Sequence, residues 1–443
     1  MPLKLRAFLG LWSVIWYLFL PLVLLYLYRR GRKDPLYSQH IKERFGLYIA
    51  PPLRGAVWVH AVSLGELRSA VPMIQAFLER GEKVVVTQFT PAGRRETEKV
   101  FANAIAKGDL QCVWVPLETN WAYRAFFRSY APKFGLVMEI EIWPRMVMAS
   151  QSANVPLFMC NAQYPSKSIV KDQKFFGLRP AVMQHFAGAF VKSDLQAQRF
   201  TAVNVPNIHI TGELRFDQPI PVHLLSAGVA VRKWLHADDR QVIIFGSTVE
   251  GEDQVYIDTM KQILVTSDPK PLFVYVPRRP ERFSEIYDKL SSEGFSVLRR
   301  SEALPVSLNE NTTKGLDPLA DSPDIFFGDS LGEMYFYLAM ADKSVVGGGF
   351  VPAGAHNIIE PLALKKPVIT GPETWTIEYP FAEADAAGVA CAKPDANMLS
   401  DALMRSFNPS VSEIDAFFEA HAGGTDKLMK ALPAALKSAL SRD

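Results

Sequence analysis

The strongest constraint on this sequence is a rhythm that runs through it twice: a short apolar run, a turn of small or polar residues, then apolar residues at helical spacing. In the first half the runs fall at 56–62, 83–87, 112–116, 134–142, 155–160 and 189–191, and 208–217 closes that half. Gln218-Pro219-Ile220-Pro221 breaks the rhythm with two prolines and no periodicity, the composition of a linker. It restarts at 241–245, 272–276, 295–298, 324–327, 343–346 and 367–370, after which helices run to the C-terminus. Strands apolar on both faces, each followed by a helix, predict parallel sheets covered on both sides. The fold class is therefore α/β, with two doubly wound Rossmann-like domains. A chain of 443 residues is long enough for two cores. The expected domains are 34–217 and 222–443, joined by 218–221 and preceded by 1–33, with the last helix free to pack back on the first domain.

Loops at the carboxyl ends of parallel strands carry function, and two such domains are expected to face each other across a ligand cleft. The richest loop is VVGGGFVPAGAHNIIEP (345–361). Gly347, Gly348 and Gly349 permit a turn and a close backbone approach that a Cβ would block. A helix starting near His356 would aim free N–H groups at an anion. Further anion donors are expected at Gly246-Ser247-Thr248 and at a helix start by Gly332, with fixed positive charge from Arg278 and Arg279. Glu360 beside Asn357 has the chemistry to accept two ribose hydroxyls, while an acid in a first helical turn is equally expected from helix electrostatics alone. No GxGxxG or GxxxxGK[ST] follows a strand, which disfavours dinucleotide redox chemistry and P-loop phosphoryl transfer. No Asp-x-Asp pair follows a strand, so no metal clamp is expected.

In the first half Glu66 follows Ser63 by three residues, the spacing of a capping box. The same carboxylate at a strand-to-helix turn suits a general base. Both readings stand at this point. Glu139 and Glu141 alternate along the run 134–142, which predicts that they share one strand face, with Ile140 and Ile142 on the other. His60 ends a strand and reads equally as a core residue or a catalyst.

The run AFLGLWSVIWYLFLPLVLLYLY (7–28) holds no charge and is long enough to cross a bilayer as a helix. Arg29, Arg30, Arg32 and Lys33 follow it, against Lys4 and Arg6 before it, so the positive-inside bias leaves the bulk of the chain cytoplasmic. A crossing helix, a helix lying in the membrane surface and a signal peptide are the three readings. The last is disfavoured by the length, the following arginines and the lack of a cleavage site. A net charge of +2 with no basic stripe argues against nucleic acid. Three cysteines far apart, with no CxxC, suit a reducing compartment.

Seven segments taken in order are HAVSLGE (60–66), EIEIWPRM (139–146), TGELRFD (211–217), GSTVEGED (246–253), PRRPERF (277–283), GDSLGEMYFYLAMAD (328–342) and GGGFVPAGAHNIIEP (347–361). Together they resemble the motifs of the lipid A Kdo transferases. These are membrane-anchored, inverting GT-B glycosyltransferases that move Kdo (3-deoxy-D-manno-octulosonic acid) from CMP-Kdo to a lipid A precursor. The resemblance covers nearly the whole chain. It implies that Glu66 is the catalytic base and that Arg279, Gly332, Glu333, Met334, Asn357 and Glu360 fall in motifs that hold CMP, beside Ser247 and Arg278. It further implies no metal or other cofactor, a cytoplasmic-face location on the inner membrane, and contact with its lipids. Arg279 stands where the family often has histidine, and Ala355 replaces a frequent glycine. The competing readings are a membrane-bound GT-B transferase using a UDP-sugar and a catalytically silent nucleotide-binding scaffold.

Overall fold

The computed structural model describes residues 3–174 and 177–441. The chain folds as two compact units, Met1–Gln218 with Ala422–Asp443, and Pro219–His421. The first unit carries β1 (Val57–His60), β2 (Val84–Gln88), β3 (Leu110–Trp114), β4 (Gly135–Met138), β5 (Leu157–Ala162), β6 (Gly188–Val191) and β7 (Ile208–Ile210). They form one seven-stranded sheet in the order β3-β2-β1-β4-β5-β6-β7. Every pair in it is parallel. The second unit carries β8 (Val242–Thr248), β9 (Leu272–Pro277), β10 (Val297–Arg299), β11 (Ile325–Phe327), β12 (Lys343–Val346), β13 (Val368–Thr370) and β14 (Ala390–Ala392). Its sheet runs β10-β11-β9-β8-β12-β13-β14, again parallel throughout.

The central strands are buried on both faces, and the period of two distributes each strand between two cores. Trp58, Val85, Val137 and Met159 enter one cluster of the first unit, while Val57, Val59, Val86 and Leu136 enter the other. The second unit divides likewise, with Ile243, Phe245 and Phe273 on one side and Val242, Ile244 and Leu272 on the other. At about 1.5–3 kcal/mol per fully buried large side chain, these four layers dominate the folding energy.

The C-terminal helix, Gly424–Leu440, returns to the first unit. Asp217 accepts the N–H groups of Gly423 (2.7 Å) and Thr425 (2.6 Å), which satisfies the start of that helix. Leu428, Met429 and Leu432 then complete the cluster around Leu136. The segment TGELRFD thus ends in a helix cap for residues two hundred positions later in the chain.

Two expectations from periodicity need correction. The run 134–142 is not one strand: β4 stops at Met138 and Glu139 takes a left-handed φ of 54°, so Glu139 and Glu141 do not alternate along a pleat. The chain also has a strand beyond residue 370, the short edge strand β14, whose Ala-Cys-Ala lacks the β-branched residues that betray a strand in sequence.

Candidate functional site

Each sheet has a central reversal of strand order, with β10 and β11 also exchanged at the edge of the second. Glu66 in the first unit and Ser247, Met334, Asn357 and Glu360 in the second lie beside the central reversals. In the first unit the reversal lies between β1 and β4. β1 leads through Ser63 into the helix Leu64–Glu79, and Ser63 caps it by accepting the Glu66 N–H (3.3 Å). The Glu66 carboxylate in turn accepts the Val62 N–H (2.8 Å) and the Ser63 hydroxyl (2.8 Å). The capping geometry is therefore real. It also holds a half-buried carboxylate at the carboxyl edge of β1, where burial first, and then the charges of Glu141 and Glu139, push its pKa up to about 7.

β4 delivers Glu139 to the same edge. Its carboxylate accepts from Arg215 (3.0 Å) and Gln163 (3.2 Å) and lies 3.8 Å from Lys192 Nζ. Glu141 accepts the Trp143 indole N–H at 2.6 Å, and its pKa is also raised, mainly by burial. Lys192 is buried against Glu213 at 2.6 Å, and Asn161 donates to Glu213 at 2.7 Å. His60 is a core residue: its Nδ1 lies 2.9 Å from the Thr87 hydroxyl, and burial lowers its pKa to about 3. The imidazole is neutral and fully enclosed.

In the second unit the reversal lies between β8 and β12. Near the end of β8 Ser247 is held at a left-handed φ of 60°, where the register with β9 shifts between Gly246 and Thr248. β12 runs into the glycine turn, where Gly348 has a φ of 91°. A side chain at Gly347 would strike Ser247 and Glu252, so these two loops approach each other as closely as backbone allows. Ser247, Met334, Asn357 and Glu360 line one small pocket with Gly246 and Val346. Arg278 donates to His356 Nδ1. Burial, then the charges of Arg278 and Arg279, lower the His356 pKa to about 3, so a neutral imidazole sits among cations. Its Nε2 is buried without a hydrogen-bond partner among the described residues.

The helix expected by Gly332 is present and begins at Met334, and the one expected near His356 begins three residues later, at Ile359. After β8 the helix begins only at Asp253, well past Gly246. Gly332 precedes its helix at a φ of 80°, and Asn357, one residue before the N-cap Ile358, accepts the Ile359 N–H (3.0 Å) at the start of a helix of only five residues. Glu360 lies in that first turn. The Glu333 side chain is occupied by a two-point ion pair with the buried Arg300 (2.7 and 2.8 Å). Sequence reasoning overlooked Arg300, Glu252, Lys192 and Arg215. Lys192 opens a loop directly after an apolar strand, and a charge in that position was the one signal that pointed to it.

Two successive, doubly wound, seven-stranded parallel units with candidate residues at both reversal points define the GT-B class. A structure described as a putative UDP-N-acetylglucosamine 2-epimerase from Listeria monocytogenes shares this fold, with a TM-score of 0.57 at 12% identity over 88% of this chain and 98% of that one. A family model for 3-deoxy-D-manno-octulosonic-acid transferase (kdotransferase) matches residues 39–218. A Bordetella pertussis 3-deoxy-D-manno-octulosonic acid transferase is 36% identical over 93% of this chain and 96% of its own length. The Haemophilus influenzae transferase of the same name is 30% identical over 87% and 86%. The chain belongs to the 3-deoxy-D-manno-octulosonic acid transferase family and is a glycosyltransferase.

Proposed function

We propose that the chain moves Kdo from CMP-Kdo to a hydroxyl of a lipid A precursor, inverting the anomeric centre, with Glu66 as general base. The observation that carries this reading is the Glu66 carboxyl, held at the carboxyl edge of β1 with a pKa of about 7. A base so placed is half ionised at neutral pH and strong enough to take a hydroxyl proton as the new bond forms. The acceptor oxygen attacks the anomeric carbon, the bond from that carbon to the phosphate oxygen breaks, and CMP leaves as a monophosphate. The second unit holds the donor: Arg278 and Arg279 face the phosphate, and Glu360 takes the ribose hydroxyls. Ser247, Gly332, Met334 and Asn357 shape the nucleotide pocket, and Glu333 contributes through its backbone. Arginine charge is sufficient for a leaving monophosphate, so this reading includes no metal. The apolar N-terminal helix keeps the enzyme at the cytoplasmic face of the inner membrane, among the lipids that contain its acceptor.

The test is incubation of the full chain with CMP-Kdo and a tetra-acylated lipid A precursor, with the product weighed. A mass increase of one or more Kdo residues is expected. A gain only from a UDP-sugar, or CMP-Kdo binding with no CMP released, would replace this reading.

A further inference from the structure

We infer that the N-terminal helix, Leu3–Gly31, lies lengthwise along the first unit and dips into a single leaflet of an anionic bilayer instead of crossing it. The inference refines the membrane reading above. One stripe of the helix, at Leu5, Leu9, Trp12, Trp16, Leu24 and Leu27, is buried or half-buried at helical spacing from end to end. Leu5 and Leu9 belong to the same core cluster as Trp58 and Val137. Leu27 is only 2% exposed.

Polar contacts fix the same stripe. The Trp12 indole N–H donates to Glu118 at 2.7 Å, and the Arg145 guanidinium donates to the Leu9 carbonyl and the Ser13 hydroxyl. Glu118, itself 2% exposed, also accepts the N–H groups of Arg145 (3.0 Å) and Met146 (3.1 Å). Length decides between crossing and lying flat. From Leu5 to Leu27 the helix covers roughly 33 Å at 1.5 Å per residue, more than the roughly 30 Å of a hydrocarbon core. A crossing helix that kept both contacts would drag the side of the unit, with Glu118 and Arg145, through the bilayer.

The opposite face supplies the occupant. Leu11, Val14, Leu18, Leu22 and Leu25 are exposed along it. Exposed cations mark both ends, Lys4 and Arg6 at one and Arg29, Arg32 and Lys33 at the other. Cations at both ends suit anionic headgroups on one side of a membrane. The helix is apolar all round because one face meets protein and the other meets lipid.

The test compares cysteines placed at Leu3 and Ser441, in a Cys112→Ser background, in spheroplasts exposed to a membrane-impermeant maleimide. No sugar transfer is needed, so the outcome is independent of the proposed reaction. Equal labelling of Leu3→Cys and Ser441→Cys, before and after lysis, is expected. Labelling of Leu3→Cys alone in intact spheroplasts would overturn the inference. A second arm mixes the purified chain with phosphatidylethanolamine–phosphatidylglycerol vesicles: it is expected to bind them and to lose binding when Leu18 and Leu22 become Ser. A dimer that hides these residues and ignores vesicles would also overturn it.

Discussion

The carboxylate of Glu252 accepts the N–H of Gly348 at 2.8 Å, joining the loop after β8 to the glycine turn after β12. It also accepts the Val249 N–H at 2.9 Å. Glu252→Ala leaves both amides without their acceptor, a loss on the order of 1–3 kcal/mol per buried group. The variant is expected to melt earlier and to need at least several-fold more CMP-Kdo for half-maximal rate, with the acceptor KM unchanged. Thermal denaturation and steady-state kinetics measure both effects.

Gly348 tests the turn more sharply. Its φ of 91° is unfavourable for any side chain, and a methyl there would run into the Gly354 carbonyl. Gly348→Ala is expected to abolish the rise in Tm that CMP produces in the parent chain, a comparison made by thermal shift with and without CMP.

Lys192 and Glu213 form a pair buried to 2% exposure on both sides, 2.6 Å apart. Burial alone would raise the Glu213 pKa, but Lys192 and Arg215 pull it below the ordinary carboxylate value. A carboxyl whose folded pKa is depressed stabilises the fold above its unfolded pKa, and that stability is lost as the pH falls through the folded value. Lys192→Met removes the nearest cation and leaves the buried Glu213 charge to Arg215 and its hydrogen bonds, a loss of up to about 3–5 kcal/mol. Urea denaturation at pH 7 should register that loss. At pH values below the range in which Glu213 ionises, the difference from the parent should shrink.

The pH dependence of the reaction follows from Glu66. Burial and the neighbouring Glu141 and Glu139 place its pKa at about 7, and only the ionised form accepts a proton. The rate is expected to climb with pH, reach half its plateau near 7, and stay level above. A profile of kcat against pH measures this directly. Glu66→Asp, with a shorter reach, should retain a trace of activity on a displaced acid limb.

Much of the architecture was legible from the residues. Apolar runs such as Val57-Trp58-Val59 announce a strand buried on both faces, and the prolines of Gln218-Pro219-Ile220-Pro221 fall where one compact unit gives way to the next. The site was less legible where a left-handed residue breaks a regular pattern. Glu139 ends β4 with a positive φ, which a period of two cannot foresee. The pairing of Glu333 with Arg300, thirty-three residues earlier in the chain, has no local sequence signal. Asn357 and Glu360 lie at a helix start as expected, and the Asn357 side chain turns back to accept the Ile359 N–H, a local bond that the residue order does not announce. The stripe that seats the N-terminal helix was invisible in a segment apolar on every side.

The most direct measurement is turnover by Glu66→Ala beside its binding of CMP-Kdo. With Glu66 as the base, loss of about 10²–10⁴ in kcat is expected while the Kd for CMP-Kdo stays within a few-fold of the parent. Turnover at the parent rate, with a folded protein and intact donor binding, would contradict the account.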